Sequence, residues 1–153
     1  MCLEFQRCFG MDELDFLLLE ELQKDAGRTR KQLARKLLVP LTTVHNRIAK
    51  LEKNGVVKGY AAAIDYKKAG FGVGALVDVS VKSGRRSAQE EIARRIAAIK
   101  GVEEAFIVTG ATDIVAKAWV KDTDALNDLL LKEIGKIDGV DKTVTLVILK
   151  QVK

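Results

Sequence analysis

The residues best suited to chemistry in this sequence are basic and polar side chains concentrated in one stretch. Residues 28–58 hold nine lysines and arginines against a single acid, Glu52, for a net charge of +8, whereas residues 1–27 carry −5 and residues 59–153 carry +2. A basic segment within a nearly neutral chain is typical of a protein that binds a polyanion. A solvated helical face is the alternative, and charge alone does not separate the two.

A helix predicted over residues 41–54 carries most of the candidate side chains. Its expected buried stripe is Leu41, Val44, Ile48 and Leu51, so the opposite side presents Asn, Arg, Thr and Lys, the types that pair with bases and phosphates in a DNA major groove. Basic residues before it could hold the DNA backbone. The predicted DNA-binding residues are Arg28, Arg30, Lys31, Thr42, Thr43, His45, Asn46, Arg47 and Lys50.

Two of these residues have an alternative interpretation. Arg47 could form an intramolecular ion pair instead of a base contact. His45 reads as a partly exposed residue on the flank of the helix, and it is the only histidine in the chain.

The sequence has few residues suited to catalysis or metal binding. One His and two Cys among 153 residues cannot furnish a four-ligand Cys/His zinc site, and a Ser-His-Asp or Cys-His mechanism would have to use His45. We therefore expect no catalytic residue, metal or cofactor. No apolar run approaches the roughly 18 residues of a membrane-spanning helix, and the first ten residues lack the pattern of a signal peptide. A soluble, cytoplasmic protein is expected.

Three helices must position the basic residues. The first is predicted over 13–25 after the N-cap Asp12, and the second starts after a Thr29 capping box and runs for about two turns. The third is entered through Pro40, and a short turn separates it from the second, which is the outline of a helix-turn-helix. Residues 56–65 are then predicted to form a short strand pair, or wing.

After residue 70 the hydrophobic pattern changes to a βαββαβ order. Strands are predicted at 73–83, 102–109, 112–121 and 140–151, with helices at 87–100 and from residue 122. The pattern Ile-x-x-Ile-x-Gly-Val occurs at 96–102 and again at 134–140, at the same helix-to-strand junction. Two βαβ halves in tandem make a ferredoxin-like fold.

The expected fold class is α+β, with a winged helix-turn-helix domain followed by a ferredoxin-like domain. The last strand is apolar on both faces, whereas both helices of such a fold cover the same face of the sheet. A second subunit could cover the other face, which predicts a dimer burying about 800 Å² or more per chain. The expected organisation is an extension at 1–11, a DNA-binding domain at 12–60, a strand or linker at 61–70, and a βαββαβ dimerisation domain at 71–153.

Three segments carry a resemblance to a known family: ELQKDAGRT at 21–29, TTVHNRIAKLEKNGVVKGY at 42–60, and the Gly110-x-x-Asp113 turn followed by Asp122. Over about residues 12–151 the chain resembles the Lrp/AsnC, or feast/famine, transcription regulators. The resemblance implies dimers that assemble into tetramers or octamers and bind an amino acid between dimers. It places effector binding at Gly110, Ala111, Thr112 and Asp113, with Asp122 nearby.

The sequence departs from the family pattern at three positions. Relatives commonly have Gly where this chain has Leu38, and a left-handed leucine there would cost roughly 1 kcal/mol relative to Gly. Relatives commonly have Ser or a similar cap where this chain has Pro40. Ala111 stands where relatives often have a polar residue, which bears on the identity of the effector. Without the resemblance, Gly110-x-x-Asp113 is also the composition of a simple hairpin turn.

The predicted function is a sequence-specific DNA-binding transcription regulator whose oligomeric assembly responds to a small ligand, most simply an amino acid. Its partners would be double-stranded DNA, the effector and further copies of the chain, with no membrane. One alternative is an enzyme of the same architecture, similar to sirohaem decarboxylases, although residues 71–153 contain no histidine. Another is a ligand-sensing assembly without DNA specificity of its own.

Overall fold

Three helices make up the first of two compact units, Met1–Ala63 and Ile64–Lys153, in a computed structural model that describes residues 10–82 and 86–152. Capping boxes begin the first two helices, at Asp12 with Asp15 and at Thr29 with Gln32. The N-cap predicted at Asp12 and the capping box predicted at Thr29 are both confirmed. Leucine, valine and isoleucine side chains from all three helices form one buried cluster. The helices are α1 (Glu13–Lys24), α2 (Arg30–Leu37) and α3 (Leu41–Lys53).

The turn between α2 and α3 is closed by a leucine in the left-handed conformation. Leu38 has φ 55° and ψ 39°, and it is the only non-glycine residue with positive φ among those described. The amide of Val39 donates to the carbonyl of Ala34 at 3.1 Å, which ends α2, and Pro40 with φ −58° starts α3. The strained turn anticipated at Leu38 is therefore present, and the Leu38 side chain is 91% exposed.

Two predictions for this unit are wrong. Leu41 is 50% exposed, because it is the first residue of α3 and lies outside the buried cluster. Residues 56–65 form no strand, so the predicted strand pair is absent here. Residues 58–65 are all exposed, and a strand needs a neighbour to satisfy its backbone hydrogen bonds, which this segment lacks among the described residues of its unit.

The second unit contains a four-stranded antiparallel sheet and two connecting helices. The elements are β1 (Val73–Val81), α4 (Arg86–Ala97), β2 (Val102–Ile107), β3 (Ile114–Val120), α5 (Thr123–Asp128) and β4 (Val140–Ile148). The strand order is β2-β3-β1-β4, which together with the two helices confirms the ferredoxin-like prediction. The last turn of α5 continues as a π-helical segment, Leu129–Ile134.

The two faces of this sheet differ in burial. Ala75, Val77 and Val79 of β1 are fully buried in a core shared with α4 and α5. On the other face, the strand register places Leu76 opposite Leu146 and Asp78 opposite Val144, and the leucine and valine of β4 are 53% and 45% exposed. We call this second side the open sheet face, defined by Leu76, Phe106, Val115, Val144 and Leu146.

A register shift interrupts the pairing of β1 with β4 between Ser80 and Val81. It lies at the end of β1 that leads to α4. No helix in the described ranges is long and apolar enough to cross a membrane.

The conformation of Leu38 gives a direct test of the turn. Leu38→Gly should raise the free energy of unfolding by about 1 kcal/mol, because glycine adopts positive φ without the Cβ clash. Chemical denaturation followed by circular dichroism measures the change. Leu38→Ala is the matched control and should bring no gain, since alanine keeps the Cβ; an equal gain from both variants would contradict the interpretation.

Candidate DNA-binding surface and effector loop

The outward face of α3 presents polar side chains opposite its buried stripe. Thr42, Asn46 and Lys50 are exposed, whereas Val44, Ile48 and Leu51 are buried. The Lys50 ammonium donates to the backbone carbonyl of Gly10 at 3.0 Å, and neither Thr42 nor Asn46 has a side-chain partner among the described residues. Thr43 is half-buried on the flank of the helix. The exposed face of α3 is thus open to a ligand along three successive turns.

Arg47 takes part in the intramolecular ion pair that the sequence left as an alternative. Its Nη1 lies 2.7 Å from Oδ2 of Asp12 and 3.1 Å from Oδ2 of Asp15. The Asp15 side chain is 1% exposed, and its Oδ1 is buried with no hydrogen-bond partner. A base contact by Arg47 would have to leave this buried carboxylate uncompensated, which is costly.

Asp12 joins the N-terminus of α1 to α3 through the same pair. Burial acts to raise the pKa of Asp12, but the hydrogen bond from the Asp15 backbone amide and the neighbouring Arg47 guanidinium outweigh it and hold the pKa below its usual value. The capping residues of α1 therefore serve twice, because they also bind the arginine of α3.

A second buried carboxylate, Glu21, is contacted by cations from α1, α2 and the segment between them. Its carboxylate lies 2.6 Å from Lys36 Nζ and 3.1 Å from Lys24 Nζ, and it also accepts a hydrogen bond from Arg28. Glu21 is 5% exposed. Desolvation and the adjacent charges of Arg28 and Lys24 lower the pKa of Lys36. Arg28, predicted as a phosphate contact, is thus bound within the unit.

Arg30 and His45 contact each other at the edge of the α3 face. Arg30 Nη1 lies 2.7 Å from His45 Nδ1, and because a guanidinium only donates, Nδ1 is the acceptor in this contact. Glu52 lies 3.9 Å from Arg30 Nη2 and accepts a hydrogen bond from the Tyr60 hydroxyl, which raises the pKa of Tyr60. Lys31 is exposed and has no ion-pair partner among the described residues.

The Gly110–Asp113 loop joins β2 to β3 and is held by hydrogen bonds at its second half. The Asp113 carboxylate accepts from the Val81 amide at 2.8 Å and from Gln89 Nε2 at 2.7 Å. The Thr112 hydroxyl donates to the Val79 carbonyl at 2.9 Å. Gly110, with φ +137°, and Ala111 are exposed at the tip. The loop is therefore a rigid support with an exposed tip.

Asp122 lies away from this loop within one chain. It is the N-cap of α5, where its Oδ1 accepts from the Ala125 amide at 2.8 Å. The seven residues of β3 separate it from Asp113, a distance of more than about 20 Å at the rise of a strand. The expectation that Asp122 is near the loop is wrong for the single chain.

Sequence reasoning missed Asp15, Glu21 and Gln89 as partners of the candidate site. Asp15 carries a weak signal, since it was already the N3 residue of a capping box. Gln89 has none, because 24 residues separate it from Asp113. No cluster of three or more His, Cys, Asp or Glu that could hold a metal occurs within the described ranges.

A helix-turn-helix with an exposed polar helix, followed by a ferredoxin-like domain, defines a DNA-binding protein of the helix-turn-helix class. Family comparison agrees with both parts of the chain: residues 11–58 match the model for a winged helix-turn-helix DNA-binding domain, and residues 74–153 match that for the Lrp/AsnC ligand binding domain. The chain belongs to the Lrp/AsnC family of transcription regulators. It binds DNA through its first domain, and its second domain is a ligand-binding domain.

Individual relatives span nearly the whole chain. The HTH-type transcriptional regulator LrpA of Pyrococcus horikoshii is 34% identical over 143 residues, covering 94% of this chain and 99% of that protein. The structure of Escherichia coli AsnC is 28% identical, with a TM-score of 0.77 and coverage of 94% and 95%. The regulator NMB0573 of Neisseria meningitidis, solved with L-methionine, is 26% identical, with a TM-score of 0.82 and coverage of 94% and 92%.

Proposed function

We propose that this regulator reads its operator with the exposed face of α3. Asn46 would pair with a base edge, Thr42 with a methyl group or phosphate, and Lys50 with phosphate, while Arg30 and Lys31 contact the backbone. The observation that carries this proposal is that the polar face of α3 is exposed along its length while the opposite stripe is buried. Of the other predicted residues, Arg28 and Arg47 pair with buried carboxylates of α1, His45 contacts Arg30, and Thr43 is half-buried on the flank of α3.

The ion pairs decide which cations remain available to DNA. Arg47 compensates the buried Asp15, so moving its guanidinium to a phosphate would leave a buried carboxylate without a cation. Arg28 is held at Glu21, which Lys24 and Lys36 also contact. Lys31 and Lys50 face no such cost, since one has no ion-pair partner and the other donates only to a backbone carbonyl. We infer that specificity depends on Asn46 and that phosphate affinity depends on the lysines.

For the effector, we propose an amino acid bound at the tip of the Gly110–Asp113 loop. Two observations support this: the family model for the second domain is that of a ligand-binding domain, and a relative of similar fold was solved with L-methionine. The exposed Gly110 and Ala111 would meet the ligand, while Asp113 and Thr112 fix the backbone that presents them. Asp122 has no part in this site within one chain.

For the assembly, we propose a dimer formed through the open sheet face, with further association into tetramers or octamers as the family resemblance implies. Half-exposed Leu146, Val144 and Phe106 on one side of a sheet are more apolar surface than a lone subunit usually leaves uncovered. A second copy of the same face would cover about 800 Å² per chain in an interface of standard size.

The alternative functions can be separated by their relatives and by their affinity for DNA. The matched relatives are transcriptional regulators, which favours a regulator over an enzyme of the same architecture. A ligand-sensing assembly without DNA specificity would bind all duplexes equally. Comparison of affinities for selected and random DNA therefore decides between a specific regulator and that alternative.

The DNA-binding proposal predicts a contrast between two substitutions on α3. Asn46→Ala should weaken binding to an operator selected from genomic fragments by about 1–3 kcal/mol and leave random DNA almost unchanged, because a base contact is lost. Lys50→Ala should weaken both and reduce the salt slope by about one unit. Fluorescence anisotropy at several salt concentrations measures both, with Lys132→Ala in the second unit as the control. Equal wild-type affinity for selected and random duplexes would refute sequence-specific binding.

The effector proposal predicts a ligand-dependent rise in thermal stability. In a screen of the amino acids, a true effector at a hundredfold excess over its Kd should stabilise the native protein by about 2.7 kcal/mol. Asp113→Ala should abolish the response because the loop loses its support from β1 and α4. Asp122→Ala should keep the response despite losing a helix cap. If Asp122→Ala abolishes it and Asp113→Ala does not, the loop is not the site.

The assembly proposal predicts that a charge on the open sheet face separates the subunits. Leu146→Asp should convert the dimer to a monomer in sedimentation equilibrium, since an unpaired carboxylate would be buried in the interface. The control is Leu131→Asp, a leucine that is 64% exposed on the helical side. A Leu146→Asp protein that stays dimeric at the same concentration would place the interface elsewhere.

A further inference from the structure

The connecting segment, residues 58–72, runs from the helix-turn-helix to β1 and contains no helix or strand. Tyr66 is the one half-buried residue in it, and all the others are exposed. A free chain of this length, fifteen residues, would span up to roughly 50 Å. The contacts made by its few attached side chains therefore decide how much of that length is free.

Tyr66 is attached to the sheet of the second unit at two points. Its ring stacks on the indole of Trp119 with a centroid distance of 4.7 Å and an interplanar angle of 6°. Its hydroxyl donates a hydrogen bond to the Glu103 carboxylate, which raises the pKa of Tyr66. Glu103 also accepts a hydrogen bond from Trp119 Nε1 at 3.0 Å, so one carboxylate holds both rings.

The turn that follows Tyr66 is closed by backbone hydrogen bonds. The Phe71 amide donates to the Tyr66 carbonyl at 2.9 Å, and the two rings meet edge to face with a centroid distance of 5.9 Å. The Gly72 amide then donates to the Lys121 carbonyl at 3.0 Å, where a Cβ at Gly72 would lie only 2.7 Å from that oxygen. Residues 66–72 are therefore attached to the second unit at both ends.

A second tyrosine, Tyr60, attaches the other end of the connecting segment to the first unit. Its hydroxyl donates to Oε1 of Glu52 in α3 at 2.7 Å. Residues 61–65 alone lie between the two attached tyrosines, and all five are exposed. The six Cα–Cα steps from Tyr60 to Tyr66 span at most roughly 20 Å, less than half the reach of the whole segment.

We propose that Tyr66 is a positioning residue that limits how far the helix-turn-helix can move from the second domain. Removing its stack on Trp119 adds residues 66–71 to the free connection, which roughly doubles its reach. In the proposed dimer, on which this consequence rests, a short connection restricts the two α3 faces to a narrow range of half-site spacings. Tyr66 thereby contributes to operator selection without contacting DNA.

The first test, on the full-length protein, needs neither DNA nor a particular oligomeric state. Tyr66→Ala should accelerate amide hydrogen exchange of Phe71 and Gly72 about tenfold or more, because the turn loses its attachment, and leave exchange in α3 and β1 unchanged. The radius of gyration from small-angle X-ray scattering should increase. Tyr66→Phe keeps the stacked ring and should retain most of the protection, and Lys67→Ala, at an exposed neighbour, is the matched control.

A second variant changes the reach and leaves Tyr66 in place. Insertion of six Gly and Ser residues after Ala62 lengthens the free connection by about as much as release of the turn does. The radius of gyration should increase as in Tyr66→Ala, whereas the Phe71 and Gly72 amides should stay protected. This variant separates the length of the connection from any effect of Tyr66 on the stability of the sheet.

The DNA readout compares duplexes that carry two selected half-sites, with centres about 10 or about 15 base pairs apart. Wild-type protein should bind one spacing at least about tenfold more tightly than the other. Both Tyr66→Ala and the insertion should reduce this ratio to about threefold or less, because a longer connection lets α3 reach either spacing. Affinity for a single half-site should not change, since the α3 face is untouched.

Each unfavourable result overturns a defined part of the proposal. Unchanged exchange at Phe71 and Gly72 in Tyr66→Ala means that Tyr66 is not the attachment. Faster exchange with an unchanged radius of gyration, or with an unchanged spacing ratio, means that the attachment does not limit reach. Equal wild-type affinity for selected and random duplexes refutes the proposed DNA reading instead, and exchange and scattering then decide on the attachment by themselves.

Discussion

The helix-turn-helix of this protein depends on two buried carboxylates of α1. Asp15 and Glu21 are the buried charged residues among those described, and each is compensated by cations from a later helix, Arg47 of α3 and Lys36 of α2. A buried carboxylate is tolerated only while it is paired, so α2 and α3 cannot shift on α1 without a large electrostatic cost. The same positive charges that make the segment look like a polyanion-binding surface are in part the means by which its helices are fixed.

Because some of these cations pair inside the protein, the net charge overstates how many are available to DNA. The net charge of +8 over residues 28–58 is a property of composition, but the number of cations free to meet DNA is smaller, because Arg28, Lys36 and Arg47 are used internally. A single α3 face with few base-reading groups gives modest discrimination, and a symmetric dimer would present two such faces to two half-sites. Dimerisation through the open sheet face would therefore double the number of α3 faces available to DNA.

Local signals in the sequence predicted most of the fold. Each successful prediction depends on residues a few positions apart: the N-cap at Asp12, the capping box at Thr29, Pro40 at the start of α3, and the repeated Ile-x-x-Ile-x-Gly-Val pattern. Each structure that they predicted is present. The failures have a different character. Packing between distant segments determines the exposure of Leu41 and the partner of Asp113. The full length of β3 determines the separation of Asp113 from Asp122. Periodicity carries no information about them. The missing strands at 56–65 belong to the same kind, since pairing needs a neighbour that local pattern cannot supply.

The register shift in β1 between Ser80 and Val81 gives the Gly110–Asp113 loop an unusual attachment. At this point the Val81 amide turns to the Asp113 carboxylate, and the Val79 carbonyl accepts from both Thr112 and Asp113. The loop is therefore attached to a central strand at Val79 and Val81. Val79 directly follows Asp78, which lies on the open sheet face opposite Val144. The loop and the open sheet face therefore share β1, and a displacement of the loop that keeps these hydrogen bonds must displace the strand as well.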